Sequence, residues 1–187
     1  MTTTLSDDIN TAIIVLRNGG VIAYPTEAIY GFGCDPFNSH AVFKLLAIKR
    51  RQPEKGLILV ASNWHQVESL VKPVAPQLLS HAQATWPGPL TWVFPASDLV
   101  PTWIKGHHET IALRISAHPL IQELCDRFCG PIVSTSANIE GHPPKRDFRT
   151  CSIAFKNSVE HIINSKCGGQ TNPCPIRDVI TNQILRR

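Results

Sequence analysis

Five apolar runs of only four to six residues limit the folds that are open to this chain. Runs of this length, bounded by glycine, proline and polar residues, are typical of buried strands. Segments with helical spacing of apolar residues lie among them without strict alternation. This pattern favours an α/β fold of the α+β type, with a twisted, mixed parallel and antiparallel sheet flanked by helices. The runs lie at residues 21–24, 57–61, 90–94, 111–116 and 131–134.

The segments between these runs carry their own local signals. Ser6 is a candidate N-cap for the first helix and Ser39 for the second. Residues 25–38, with their glycines and prolines, predict a loop, and residues 63–71 predict a helical stretch. Residues 176–186 predict a terminal pair of strands joined by a turn.

Length and composition predict a single domain over residues 5–187. No apolar run approaches the ~20 residues that span a bilayer, so no membrane partner is expected. The formal charge of +4 indicates anionic partners without requiring nucleic acid, and DNA is not an expected partner. The six cysteines lack metal-site spacing, which predicts reduced thiols, a cytoplasmic location and no metal ligands in the protein itself.

Four cations lie within the seven residues from Lys49 to Lys55. If the second helix ends near Lys49, the extended backbone that follows would turn Lys49 and Arg51 to the same side. Lys55 would return to that side across the turn at Pro53. Arginine forks and lysine ammonium groups are suited to phosphate oxygens. A solvated basic turn is the alternative, and the residues alone leave it open.

Small polar side chains follow an apolar run at Ser134-Thr135-Ser136-Ala137-Asn138. Open α/β sheets often bind ligands at the carboxyl ends of strands, although serine and asparagine also serve as turn and capping residues. Arg114 lies inside the apolar run 111–115 and needs either a ligand or a partner such as Glu27, because an unpaired buried ion is costly. The chain contains no Walker loop and no zinc-protease motif. These features predict a site that aligns substrates and neutralises their charge.

Six blocks, in this order along the chain, resemble the YrdC-type family. The resemblance extends over about residues 9 to 186 and is closest to the short, single-domain bacterial members. The blocks are Pro25-Thr26-Glu27-Ala28-x-Tyr30-Gly31-x-Gly33-Cys34-Asp35, Lys49-x-Arg51-x3-Lys55-Gly56, Trp86-Pro87-Gly88-Pro89-Leu90-Thr91, Ala112-x-Arg114-x3-His118-Pro119, Ser134-Thr135-Ser136-Ala137-Asn138 and Ile176-Arg177-Asp178.

The resemblance implies a YrdC/RibB-like fold with a concave, positively charged face. It also implies a nucleotidyltransferase that converts L-threonine, bicarbonate or CO2, and ATP into threonylcarbamoyl-adenylate and pyrophosphate. The expected cofactor is Mg²⁺, held through the ATP phosphates. The adenylate would serve t6A formation at position 37 of ANN-reading tRNAs, which makes tRNA and the threonylcarbamoyl-transfer proteins the expected partners.

The resemblance also implies roles for individual residues. Lys49, Arg51 and Lys55 are expected to be catalytic and to hold the ATP phosphates. The other expected ATP contacts are Ser136, Asn138 and Arg186. The expected threonine pocket consists of Thr26, Arg114 and Ser134, with Arg114 gripping the carboxylate.

A competing interpretation is an RNA-binding module whose basic face holds tRNA or structured RNA without catalysis. Phosphate contacts would then give binding a steep salt dependence. The chain lacks aromatic ribonucleoprotein motifs and a long basic stripe, which favours the enzyme.

Overall fold

A computed structural model describes residues 4–186 of the chain, so Arg187, the last residue of the predicted domain, lies outside the described residues. The helices in this part are α1 (Leu5–Arg17), α2 (Ser39–Lys49), α3 (Pro76–Gln83), α4 (Thr102–Lys105), α5 (Pro119–Phe128) and α6 (Phe148–Phe155). The strands are β1 (Ile22–Pro25), β2 (Tyr30–Gly33), β3 (Ile58–Ala61), β4 (Thr91–Pro95), β5 (Thr110–Ile115), β6 (Ile132–Ser136), β7 (His161–Ile162), β8 (Ile176–Asp178) and β9 (Ile184–Arg186).

These strands form one sheet with the order β7-β1-β2-β6-β3-β5-β4-β8-β9. The pairs β1–β7, β3–β5 and β4–β8 are parallel, and the other neighbours are antiparallel. The predicted mixed α/β sheet is therefore confirmed. Strand β6 lies between β2 and β3, which brings the polar residues at its carboxyl end to the middle of the sheet.

Alternating side chains along the strands build a core on each face of the sheet. On one face, Ile22, Val60 and Ile132 pack with the buried stripes of α1 and α5. On the other face, Val133 and Leu59 belong to the larger core that includes α2 and α6. A strand places successive side chains on opposite faces, which is why neighbours such as Ile132 and Val133 enter different cores.

The start of α1 and the loop after β1 differ from the sequence predictions. Helix α1 begins at Leu5 and is capped by Thr4 rather than Ser6, because Thr4 and Asp7 form a reciprocal capping box. Strand β2 lies inside the predicted loop 25–38. Its glycines hide the strand pattern, yet they are required there: a Cβ at Gly33 would lie 2.7 Å from the Tyr24 ring.

Two other local predictions are also corrected. Residues 63–71 form two short 3-10 turns, Trp64–Gln66 and Glu68–Leu70, instead of one helical stretch. Ser39, the predicted N-cap of the second helix, is instead its first residue, and the N-cap is Asn38, whose side chain accepts a hydrogen bond from the Ala41 N–H. No helix between residues 4 and 186 is both long and apolar enough to cross a membrane.

Candidate active site

A cavity of about 510 Å³ opens on the sheet face that carries α1 and α5, beyond the area that these helices cover. Its floor crosses three adjacent strands, because Ile58 of β3 is paired with Ala112 of β5 and with Ser134 of β6. The volume suits a small-molecule ligand. The sheet topology therefore places a ligand-sized cavity directly over the polar end of β6.

The walls of this cavity are strongly cationic. Five basic side chains line it, and none of the lining residues in the described part of the chain is Asp or Glu. A concave site with charge of one sign concentrates ligands of the opposite sign. The five basic residues are Arg51, Lys55, Lys105, Arg114 and Arg186.

The basic loop reaches the cavity by a different route from the one predicted. Helix α2 ends at Lys49, and Arg50 adopts a left-handed conformation with a φ of 52°, so the backbone turns instead of extending. Arg51 then donates from Nη2 to the Gly56 carbonyl at 3.0 Å. The turn separates the cations: Arg51 and Lys55 line the cavity, whereas Lys49 does not.

Lys49 is buried beneath the polar end of β6. Its Nζ donates to the Asn138 carbonyl at 3.1 Å, to Asn138 Oδ1 at 3.0 Å, and to the Ser136 carbonyl. Burial, followed by the charge of Arg51, lowers the pKa of Lys49 to about 8, while Glu140 opposes this shift. Lys49 therefore links the basic loop, which begins at Lys49, to the polar segment Ser134–Asn138.

Ser136 and Asn138 are joined by a side-chain hydrogen bond, in which Ser136 Oγ donates to Asn138 Oδ1 at 2.6 Å. The Asn138 amide donates to the His142 carbonyl at 2.7 Å. Ser136 lines the cavity, but Asn138 does not. Asn138 thus supports the loop from behind while Ser136 faces the ligand space.

Arg114 is buried at the inner end of the cavity and pairs with Glu27, with Nη2 and Oε2 3.4 Å apart. Glu27 also accepts a hydrogen bond from the Ser116 hydroxyl at 2.6 Å. The Glu27 partner anticipated from the sequence is therefore present. Arg114 can still donate a further hydrogen bond, because its Nε is buried without a hydrogen-bond partner among the described residues. Buried donors normally have an acceptor, so this arrangement is suited to an anionic ligand.

The remaining predicted site residues also reach the cavity. Thr26 and Ser134 are both buried in its wall, and the Thr26 hydroxyl donates to the Ile29 carbonyl at 2.8 Å. Arg186 lies on β9 and donates to the Cys174 carbonyl at 2.9 Å. The structure thus brings seven predicted residues to the cavity wall, with Lys49 and Asn138 behind it: Thr26, Arg51, Lys55, Arg114, Ser134, Ser136 and Arg186.

Sequence reasoning missed two residues of the cavity wall, Lys105 and His108. Lys105 is the last residue of the short helix α4, and His108 lies three residues after it. The chain turns at Gly106, and the His107 N–H donates to the Glu54 carbonyl at 3.1 Å. The sequence signal was the glycine after an apolar-basic segment, but only tertiary contact shows that this turn docks on the basic loop.

Over residues 4–186 no group of three or more His, Cys, Asp or Glu side chains could hold a metal ion. The cavity wall instead offers hydroxyl groups and cations. This donor set fits a divalent cation only if the ligand brings most of the oxygen atoms, as nucleotide phosphates do for Mg²⁺.

Fold and cavity together define an α/β protein with a site for an anionic small molecule. The Sua5/YciO/YrdC family model, described as "Telomere recombination", matches residues 14–187. Threonylcarbamoyl-AMP synthase from Coxiella burnetii is 54% identical over 181 residues, which cover 97% of each chain. The enzyme of the same name from Pseudomonas aeruginosa PAO1 is 46% identical over 172 residues, 92% of each chain. This chain belongs to the Sua5/YciO/YrdC family.

A solved structure supports the same relationship. The crystal structure of P. abyssi Sua5 complexed with L-threonine superposes with a TM-score of 0.87 at 30% identity. The match covers 95% of this chain and 52% of the Sua5 chain. The chain thus spans about half the length of that relative, but nearly the whole length of the bacterial synthases.

Proposed function

We propose that this protein is a threonylcarbamoyl-AMP synthase, a nucleotidyltransferase that uses L-threonine, bicarbonate or CO2, and ATP. The observation that carries this proposal is the cavity wall, with its five basic side chains and no carboxylate among the described lining residues. The names of the bacterial relatives support the choice of reaction, and the Sua5 complex with L-threonine supports the choice of amino acid.

The proposed reaction has two steps. The threonine amine adds to CO2, loses a proton and becomes a carbamate. A carbamate oxygen then attacks the α-phosphorus of ATP, the bond from that phosphorus to the bridging oxygen breaks, and pyrophosphate leaves with the bond electrons. Both steps gather anions, so the chief task of the site is to align them and to neutralise their charge.

On the nucleotide side, we assign Arg51 and Lys55 to the phosphates. The buried Nε of Arg51 lacks a partner within residues 4–186, and Lys55 is about half exposed at the rim of the cavity. Ser136 and Arg186 complete this side. Lys49 and Asn138 act through the position of the Ser136 loop, because their polar atoms bond to that loop.

On the threonine side, we assign the substrate carboxylate to Arg114. A planar guanidinium binds carboxylate oxygens in pairs, and the Glu27 contact fixes its orientation. Thr26 and Ser134 lie in the same wall and would contact the rest of the amino acid.

Mg²⁺ is proposed to enter with ATP, bound to its phosphate oxygens, and the Ser136 hydroxyl of the wall would be available to it. When bound, the ion supplies charge neutralisation for the polyphosphate. The product is proposed to pass to the tRNA threonylcarbamoyl-transfer proteins for t6A synthesis on ANN-reading tRNAs. A role in tRNA modification would place the protein in the cytoplasm.

The product itself tests this proposal. Protein, ATP, Mg²⁺ and ¹³C-bicarbonate are incubated with L-threonine or L-serine, and the nucleotides are identified by mass spectrometry. We expect a ¹³C-labelled threonylcarbamoyl-adenylate with threonine and much less of any product with serine. AMP without label, or no new nucleotide from folded protein, would contradict the proposal. Salt-sensitive binding of RNA in that second case would favour the RNA-binding module.

A further inference from the structure

The carboxylate of Glu140 lies against the two cations assigned to the ATP phosphates. Its Oε1 is 2.8 Å from Lys55 Nζ and 3.7 Å from Arg51 Nη1. Among the described residues it is the one carboxylate paired with this basic loop. An anionic group of the protein is therefore paired with both cations, although Glu140 itself is not among the residues that line the cavity.

The backbone holds Glu140 in this position. The Glu140 N–H donates to the Lys49 carbonyl at 2.8 Å, which ties the residue to the end of α2. The nearby Asn138 is fixed by Lys49 and by the His142 carbonyl. The side chain of Glu140 is about one-third exposed, so its carboxylate can move toward solvent while the backbone remains in place.

We propose that Glu140 is a positioning residue that acts as a built-in counterion of the phosphate subsite. In the unliganded protein it holds Arg51 and Lys55 together against their mutual repulsion. On binding, the polyphosphate exchanges with this carboxylate, and when pyrophosphate leaves, the carboxylate returns. Glu140 thereby weakens polyphosphate binding and favours product release. The inference rests on the proposed function for its place in the reaction.

Electrostatics supports an exchange of this kind. The hydrogen bond from Lys55 lowers the pKa of Glu140, so the group is ionised near neutral pH. The ion pair is exposed to solvent, where such contacts are weak and can be broken by a ligand of higher charge. A triphosphate presents several negative oxygens to the same two cations, and it gains less binding energy than it would from cations without a counterion.

The test uses Glu140→Gln, which keeps the size of the side chain and removes its charge. Glu54→Gln is the matched control, since Glu54 lies in the same basic loop and has no ion pair within residues 4–186. Binding of inorganic triphosphate and of pyrophosphate is measured by calorimetry. For Glu140→Gln we expect about fivefold tighter binding, the upper range for an exposed charge pair, and no change for Glu54→Gln. Glu140→Asp keeps the charge and should bind as the wild type does.

Steady-state kinetics distinguishes this role of Glu140 from a purely structural one, because a structural role would not change the constants for ATP and pyrophosphate selectively. We expect Glu140→Gln to lower the KM for ATP and to strengthen inhibition by pyrophosphate, with an unchanged KM for threonine. Added salt should reduce the difference from the wild type, because exposed charges are screened. Unchanged or weaker binding of both anions would overturn the inference.

These results separate the inference from the proposed function. Tighter triphosphate binding by Glu140→Gln in a protein that makes no adenylate would uphold the counterion and refute the synthase. An active wild type whose Glu140→Gln variant binds triphosphate no more tightly would uphold the synthase and refute the counterion.

Discussion

Lys49 and Asn138 are 89 residues apart in the chain and are joined by a hydrogen bond of 3.0 Å between Nζ and Oδ1. The same ammonium group bonds to two backbone carbonyls of the segment at the end of β6. The Phe32 ring lies below it, with its centroid 5.8 Å from Nζ. One buried cation thus sets the position of a loop that forms part of the cavity wall.

Replacing Lys49 by Met should destabilise the protein by about 2 kcal/mol near neutral pH, because buried carbonyls lose their donor. The free energy of unfolding should also respond to pH. The lowered pKa of about 8 means that the native state releases its proton before the unfolded chain does, so wild-type stability rises above that pH. The difference in the free energy of unfolding between the wild type and Lys49→Met should therefore increase by roughly 1–2 kcal/mol between about pH 7.5 and 9.5. Urea unfolding at both pH values measures it, and a constant or shrinking gap would contradict the assignment.

Truncation of Arg51 or Lys55 should remove most of the activity and leave the fold intact. Each side chain is proposed to make charge-assisted bonds to phosphate, so kcat/KM should fall about 10- to 100-fold. Circular dichroism and thermal unfolding check the fold of Arg51→Ala and Lys55→Ala. Lys72→Ala is the control, because Lys72 pairs with the exposed Asp98 and does not line the cavity. Wild-type turnover in either test variant would refute the phosphate assignment.

Arg114→Lys should separate the threonine site from the ATP site. Lysine keeps a charge for Glu27 but loses the planar fork, so the KM for threonine should rise about tenfold or more, with the KM for ATP within about twofold of the wild type. Steady-state kinetics with each substrate varied in turn measures both values. Equal effects on the two substrates would contradict the assignment. Removal of the charge is a less useful test, because it would leave Glu27 buried and unpaired.

Gly106 holds the turn after α4 against the basic loop. A Cβ at this position would lie 2.3 Å from the Glu54 carbonyl oxygen, and the φ of 63° disfavours other residues. Gly106→Ala should therefore cost about 2–4 kcal/mol of stability and weaken ATP binding. Thermal and urea unfolding measure the first effect, and calorimetry with ATP measures the second.

Gly141→Ala is the control for Gly106→Ala. The φ of Gly141, 82°, is also positive, but no atom lies within 4 Å of the added Cβ. A cost of about 1 kcal/mol is expected for this control. Similar losses of stability in both variants would mean that the contact between Gly106 and the basic loop does not contribute to stability.

The sequence was sufficient for much of this fold because the strands are short, apolar and bounded by clear turn residues. It failed at β2, where the pattern contains Gly31 and Gly33 and depends on the packing of the Tyr24 ring. It also failed at α4, whose four residues are too few to show helical periodicity.

For the site, the sequence predicted which residues reach the cavity better than it predicted their geometry. Arg51, Arg114 and Ser134 line the cavity, and the ligand roles that the sequence suggests for them stay predictions. The burial of Lys49 could not be foreseen, because it depends on contact with a loop almost ninety residues away. The ion pairs of Glu140 cannot be predicted for the same reason, because a single acidic residue in a polar loop gives no sign of the cations that it will contact.

Pyrophosphate release is the first assay to run, because it reports directly on attack at the α-phosphorus of ATP. Purified protein is assayed with ATP, Mg²⁺ and bicarbonate, with L-threonine, with L-serine and with no amino acid. A synthase with the site described above should release pyrophosphate only with threonine and should lose this activity in Arg51→Ala. Release that is absent under every condition, or that proceeds equally without threonine, would show that the protein does not form this adenylate.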